Sequence, residues 1–207
     1  RQSCGHHLSV AAPVRSSGAA SALPRCAAPP GVGPHRAGGL VLAQSIAFID
    51  RARGTARGEG WSLEPIVGMM IPSVVDDSLA PKGAHVASLF CQQFKPDADW
   101  DALKERAVQA VFDVVQSHCP NFRASLLGYR ALTPLDLERE FGLVGGDIFH
   151  GQLSLDQLFS LRPLLGYARY RGPLRGLYHC GSGAHPGGGV TGAPGHNAAT
   201  EVKRDLA

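Results

Sequence analysis

Apolar residues recur at three- and four-residue spacing between Asp97 and Cys119. Trp100, Leu103, Ala107, Val111 and Val114 share one stripe, and Lys104, Glu105, Gln109 and Gln116 fall elsewhere, which predicts an amphipathic helix. Pro120 ends it, because a proline ring pushes the residue before it out of the helical region. Thr133-Pro134-Leu135-Asp136 supplies an N-cap hydroxyl, a proline at the first helical position and an acid three residues after the cap, and Gly142 closes that helix. Ser154-Leu155-Asp156-Gln157 repeats the device and predicts a further helix ending at Pro163. Leu42, Ile46, Phe48 and Ile49 mark a short helix before Gly54, Gly58 and Gly60. The apolar run between Pro65 and Pro72, and the segment Gly83–Phe94, with Val86, Phe90 and Phe94 opposed to Leu89 and Cys91, read as strands. Asp76, Asp77, Pro81 and Gly83 between them are turn residues, so an antiparallel pair is expected.

Residues 1–38 differ from the rest. Ala, Ser, Pro, Gly and Arg dominate, no helical or strand period is evident, and a disordered tail is expected. The chain holds 20 basic and 17 acidic residues, a net charge of +3. Arg1, Arg15, Arg25 and Arg36 face no acid within the tail, so the body is nearly neutral, which argues against a nucleic-acid surface. No run of 18 apolar residues exists to cross a bilayer as a helix. Cys4, Cys26, Cys91, Cys119 and Cys180 form no CxxC pair, which leaves dithiol chemistry unsupported. Cys4, His6 and His7 lack a second ligand pair for a metal. Asp136, Glu138 and Glu140 suit the start of a helix better than a catalytic carboxylate pair.

Between Gly172 and Gly195 the glycine density rises sharply. Leu174–Gly181 predicts a short strand, the glycine-rich run Ser182–Gly195 a turn, and the residues from His196 onward a helix. Glycine lets backbone approach a ligand closely, and the first N–H groups of a helix attract negative charge. The sequence GLYHCGSGAHPGGGVTGAPGHNAA resembles the carboxyl-terminal flavin motif of the phytoene-desaturase-like, FAD-dependent oxidoreductases. TPLDLEREFGLVGGDIFHGQLSLDQLFSLRP is similar to one branch of that family, and the resemblance covers roughly residues 40–207.

The resemblance implies a mixed α/β (α+β) fragment. Residues 1–38 would be the tail, 39–171 a portion of the substrate domain, and 172–207 the closing strand and helix of a Rossmann-type FAD-binding domain. By resemblance, Gly181 and Ser182 lie near the ribityl chain or pyrophosphate of FAD. Gly187, Gly188, Gly189, Val190 and Thr191 bring backbone N–H groups to the flavin ring, near which a helix amino terminus would favour the reduced, anionic form. His179 and His185 with Cys180 lack the spacing of a closed metal site and read as structural.

No GxGxxG following a first strand, with an acidic residue about 20 positions later, is found; Gly31-Val32-Gly33 sits in proline-rich sequence. The chain is therefore expected to be a carboxyl-terminal fragment or truncated isoform, inactive alone and needing the missing half for tight FAD binding. The function implied is hydride transfer to flavin from a small-molecule, hydrophobic substrate; the alternative is a non-catalytic interaction module that keeps the substrate-domain surface. Peripheral membrane association is compatible with the apolar segments Ile66–Ile71 and 155–165, although ordinary core explains them better, and the resemblance implies mitochondria.

Overall fold

The computed structural model describes residues 7–15, 38–149 and 154–207. Two compact units emerge, His6–Gly146 and Asp147–Ala207. Residues 147–171 therefore group with the glycine-rich segment rather than with the sheet.

The first unit is built on a five-stranded antiparallel sheet in the order β2-β3-β4-β1-β5. Its strands are β1 (His7–Arg15), β2 (Leu40–Leu42), β3 (Trp61–Met70), β4 (Ala84–Phe94) and β5 (Arg130–Leu132). The expected antiparallel pair is β3 and β4, joined in register from Ile66↔Gln92 to Met70↔Ser88. Two short 3-10 turns, Pro72–Val74 and Asp77–Leu79, connect them, the second capped by Asp76, whose carboxylate accepts from the Ser78 N–H.

The expected tail is corrected where it is described. His7–Arg15 is a strand inside the sheet, paired along its length with β4 and through Ser9–Ala11 with β5. Leu8, Val10, Ala12 and Val14 are buried at period two. Small residues and Pro13 mask that alternation, and pairing on both sides satisfies backbone groups whatever the strand propensity of the side chains. Residues 1–6 and 16–37, the rest of the predicted tail, lie outside the described residues.

Helix α1 (Ile46–Glu59) starts at Ser45, whose hydroxyl accepts from the Phe48 N–H, and stops at Gly60 in the left-handed region, φ 85°. Its buried stripe differs from the predicted one. Phe48, Ala52 and Ala56 are buried at four-residue steps, Ile46 and Ile49 are exposed, and Gly54 and Gly58 lie within the helix. Phe48 and Ala52 cluster with Ile66, which alternation along β3 sets on the face opposite Val67.

Helix α2 (Trp100–His118) fulfils the strongest periodicity in the sequence. Asp99 caps it, and Trp100, Ala107, Val108, Val111, Phe112, Val114 and Val115 are buried. They form one core with Leu8, Val10, Val14, Val67, Met69, Leu89 and Cys91 from the sheet. Alternation along β4 holds for Ala87, Leu89 and Cys91, but Gln93 takes φ 77° and returns Phe94 to the core. Phe94 was expected on the other face; the kink lets it reach Trp100, with ring centroids 5.7 Å apart.

A single turn, α3 (Phe122–Ser125), follows α2, and α4 (Pro134–Phe141) carries the predicted capping box. The Thr133 hydroxyl accepts from the Asp136 N–H at 3.1 Å, and the Asp136 carboxylate accepts from the Thr133 N–H at 2.8 Å. A Cβ at Gly146 would collide with the Pro134 backbone, so glycine is required there. Ser9, Val10, Ala11, Ser88, Arg130, Leu132 and Phe141 line an open cleft of about 270 Å³. No described helix is long and apolar enough to cross a membrane.

Because Leu8 is fully buried in the strand that carries β5, Leu8→Ala should cost about 2–5 kcal/mol. Urea unfolding checks this; an unchanged midpoint would mean that β1 is not part of the stable sheet.

Candidate functional site

The second unit has little regular structure. The predicted helix at Ser154 is instead two 3-10 turns, Leu155–Gln157 and Phe159–Leu161. Ser154 makes no N-cap bond to the backbone; its hydroxyl turns to the Asp156 carboxylate, a local pairing that competes with helix initiation.

The predicted strand Leu174–Gly181 is also corrected. Among the described residues, its one ladder contact is an isolated bridge between Arg171 and Tyr178. The run curls back on the residues before it: Gly172 N–H donates to Leu177 O at 2.8 Å, and His179 N–H donates to Tyr170 O at 2.8 Å. No described strand lies alongside, so local turns take up the backbone groups a neighbour would otherwise satisfy. A side chain at Gly172 would run into Leu177, which accounts for glycine at that return.

The predicted helix does form, as α5 (Ala193–Leu206), with Gly192 at its N-cap, φ 71°. Arg171 holds it from the side. The guanidinium donates to both Asp205 oxygens, each at 2.8 Å, and also pairs with Glu201. Tyr178 donates its hydroxyl to Asp205 at 2.7 Å. The Arg171 hydrogen bonds, then the Tyr178 one, hold the Asp205 carboxyl down to about 2. The same contact pushes the Tyr178 phenol up.

Between the curl and the helix lie the predicted cofactor residues. Gly181, Ser182, Gly187, Gly188, Gly189, Val190 and Thr191 form one continuous loop before α5. Gly187 N–H donates to Ala184 O at 2.8 Å and so closes a turn. Among the described residues, the backbone N–H groups of Gly188, Gly189, Val190 and Thr191 donate to no protein acceptor. Gly187 and Gly189 take φ values of 97° and 112°, and Val190 takes 57° with its side chain wholly exposed. A Cβ at Gly181 or Gly183 would meet only open space. Thr191 Oγ1 accepts from Ala193 N–H, and His196 N–H donates to Gly192 O as the helix begins.

These features fit an anionic or electron-rich group laid against the backbone: four donors in succession, bare glycines beside them and the positive end of a 14-residue helix. Gly187, Gly189 and Gly192 also stand at GxGxxG spacing directly before α5, a spacing overlooked in the sequence. The strand that should precede such a turn is lacking here, so the spacing is not a complete dinucleotide fingerprint.

Sequence reasoning missed the residues that hold this loop. Arg162 is only 1% exposed, and it donates through Nε and Nη2 to Ser182 O at 3.3 and 2.8 Å. Asn197 Nδ2 donates to the Tyr170 hydroxyl, which donates to His185 O, each at 2.8 Å. An arginine within the apolar run FSLRPLLG was the available signal for the first. His179 and Cys180 are exposed.

No protein-family profile matches the chain. Curated relatives do match: the chain belongs with the proteins named pyridine nucleotide-disulfide oxidoreductase domain-containing protein 2, and phytoene desaturases match it more weakly. Within that class it is 49% identical over 165 residues to pyridine nucleotide-disulfide oxidoreductase domain-containing protein 2 of Rattus norvegicus, which covers 77% of this chain and 28% of the rat protein. The Mus musculus protein of the same name is 44% identical over 84% of this chain and 31% of its own length. A lycopene-forming phytoene desaturase of Pantoea ananas is 28% identical over 62% of this chain and 26% of its own length. The chain thus spans about three tenths of the two mammalian relatives.

The lowered Asp205 pKa fixes a direction for acid sensitivity. A carboxylate bound more tightly in the folded state contributes stability above its unfolded pKa and loses it as pH falls through the folded value. The Arg171 anchor on α5 should therefore weaken between about pH 4, the ordinary carboxylate value, and about 2. Carboxyl NMR titration of Asp205 checks this, and Asp205→Asn should remove the transition.

Proposed function

We propose that this chain contributes the FAD-binding loop and a substrate-side sheet to an oxidoreductase that transfers a hydride from a hydrophobic small molecule to flavin. One arrangement carries the reading: among the described residues, the N–H groups of Gly188–Thr191 make no hydrogen bond to protein, and they lead into α5. The kinship with oxidoreductases supports it.

FAD, if bound, would supply the hydride acceptor. The chain's own residues position and polarise. Gly188, Gly189, Val190 and Thr191 present donors to accumulating negative charge, and the α5 dipole adds to them. Gly181 and Gly183 leave room for close approach beside Ser182, whose carbonyl is held by Arg162. In the sheet unit, the cleft bordered by Ala11, Leu132 and Phe141 suits an apolar substrate.

The test is to co-express the chain with the amino-terminal part of the rat relative that lies outside the match and to measure flavin absorbance in the purified pair. Bound flavin is expected. A Cβ at Gly188 meets only ordinary contacts, with Phe149 at 3.5 Å and Ser182 at 3.7 Å. Gly188→Leu should therefore fold, by circular dichroism, while losing at least about tenfold in FAD affinity, the equivalent of about 1.4 kcal/mol. A correctly assembled pair without flavin would refute the reading and favour an interaction module.

A further inference from the structure

We infer that His185 is a positioning residue: its imidazole, locked as the Nε2–H tautomer, fastens the turn that delivers the glycine run Gly187–Thr191. The inference lies within one compact unit, and its flavin consequence rests on the function proposed above.

The first observation is a hydrogen bond that permits only one direction. Phe159 N–H lies 3.1 Å from His185 Nδ1. A backbone amide nitrogen donates and cannot accept, so Nδ1 is the acceptor and the neutral ring carries its proton on Nε2. The rings of Phe159 and His185 also touch, with centroids 5.1 Å apart.

The second observation is that two strained residues converge on this histidine. Phe159 takes φ 49° and Tyr170 takes φ 65°, values that aromatic side chains adopt only when surroundings hold them there. Phe159 reaches the His185 ring, and Tyr170 reaches the His185 carbonyl through its hydroxyl at 2.8 Å. Asn197 of α5 donates to that same hydroxyl. One residue therefore joins the 3-10 turn, the loop at Tyr170 and, through Tyr170, the helix.

The third observation is position. Ala184 and Gly187 close a turn, Gly187 N–H donating to Ala184 O, and His185 is inside it. The next residues are Gly188–Thr191, whose N–H groups lack protein acceptors among the described residues. Fixing His185 on both its ring and its carbonyl fixes where that run begins. The side chain acts through the loop and contributes no proton transfer.

The experiment uses the full chain co-expressed with the rat relative's amino-terminal part, comparing wild type, His185→Leu and His185→Asn. Nitrogen-15 NMR of the imidazole should show the proton on Nε2 in the neutral ring. Amide exchange at Phe159 should speed up roughly fivefold to tenfold in His185→Leu, the size of one lost hydrogen bond. His185→Asn offers an amide oxygen near the Nδ1 position and should restore protection and FAD affinity, which His185→Leu lowers. A proton on Nδ1, or unchanged Phe159 exchange in His185→Leu, would overturn the positioning role even with flavin bound. Wild type that binds no flavin but passes the NMR and exchange arms would uphold that role and sink the flavin reading alone.

Discussion

Backbone pairing on both sides of β1 is the constraint on which the sheet unit rests. Among the described residues β5 is bonded to the sheet through β1 alone, and β4 meets β1 along nine residues. The chain leaving β5 enters α4 directly through Thr133, so the capping box is also anchored through this strand. Val10 faces Leu89 on one neighbour and Ala131 on the other. Packing by α2 then covers one face of a sheet whose order is already set by hydrogen bonds.

In the glycine-rich unit, cations and donors aimed at carbonyls take the place of a hydrophobic core. Arg162 holds Ser182 O, Tyr170 holds His185 O, and Arg171 holds the flank of α5. Large apolar residues such as Leu164, Leu165 and Leu174 remain exposed. This division suits a binding loop, since backbone N–H groups can face a ligand only if other groups fix the chain around them. Arg171 and Glu201 also bring their neighbours Asp205, Tyr178 and Arg204 into one surface network, which outperforms isolated exposed pairs because it immobilises several side chains together.

What could be read in the sequence followed from strong local signals. The α2 stripe, the Thr133 capping box and the β3–β4 pair each combine a period with a stop residue, and each is present. β1 escaped because alanines and a proline dilute its alternation, and its stability comes from partners some 80 and 120 positions away. Leu174–Gly181 misled for the opposite reason: strand-like composition does not make a strand where local turns capture its hydrogen bonds. The glycine-rich loop before α5 was legible from its composition, but not the turn that Gly187 closes within it. Tyr170 and Asn197 were invisible because their targets are a carbonyl and a hydroxyl distant in sequence, and Arg162 left only its place in an apolar run as a trace.

The place of β1 has a consequence for synthesis. His7–Arg15 leaves the ribosome before either partner, and its second neighbour, Arg130–Leu132, is made more than a hundred residues later. Until β4 is made, Leu8, Val10 and Val14 have no strand to pair with; once the β3–β4 pair exists β1 can add to its edge, and the new edge that β1 presents stays open, of the kind chaperones bind, until β5 follows.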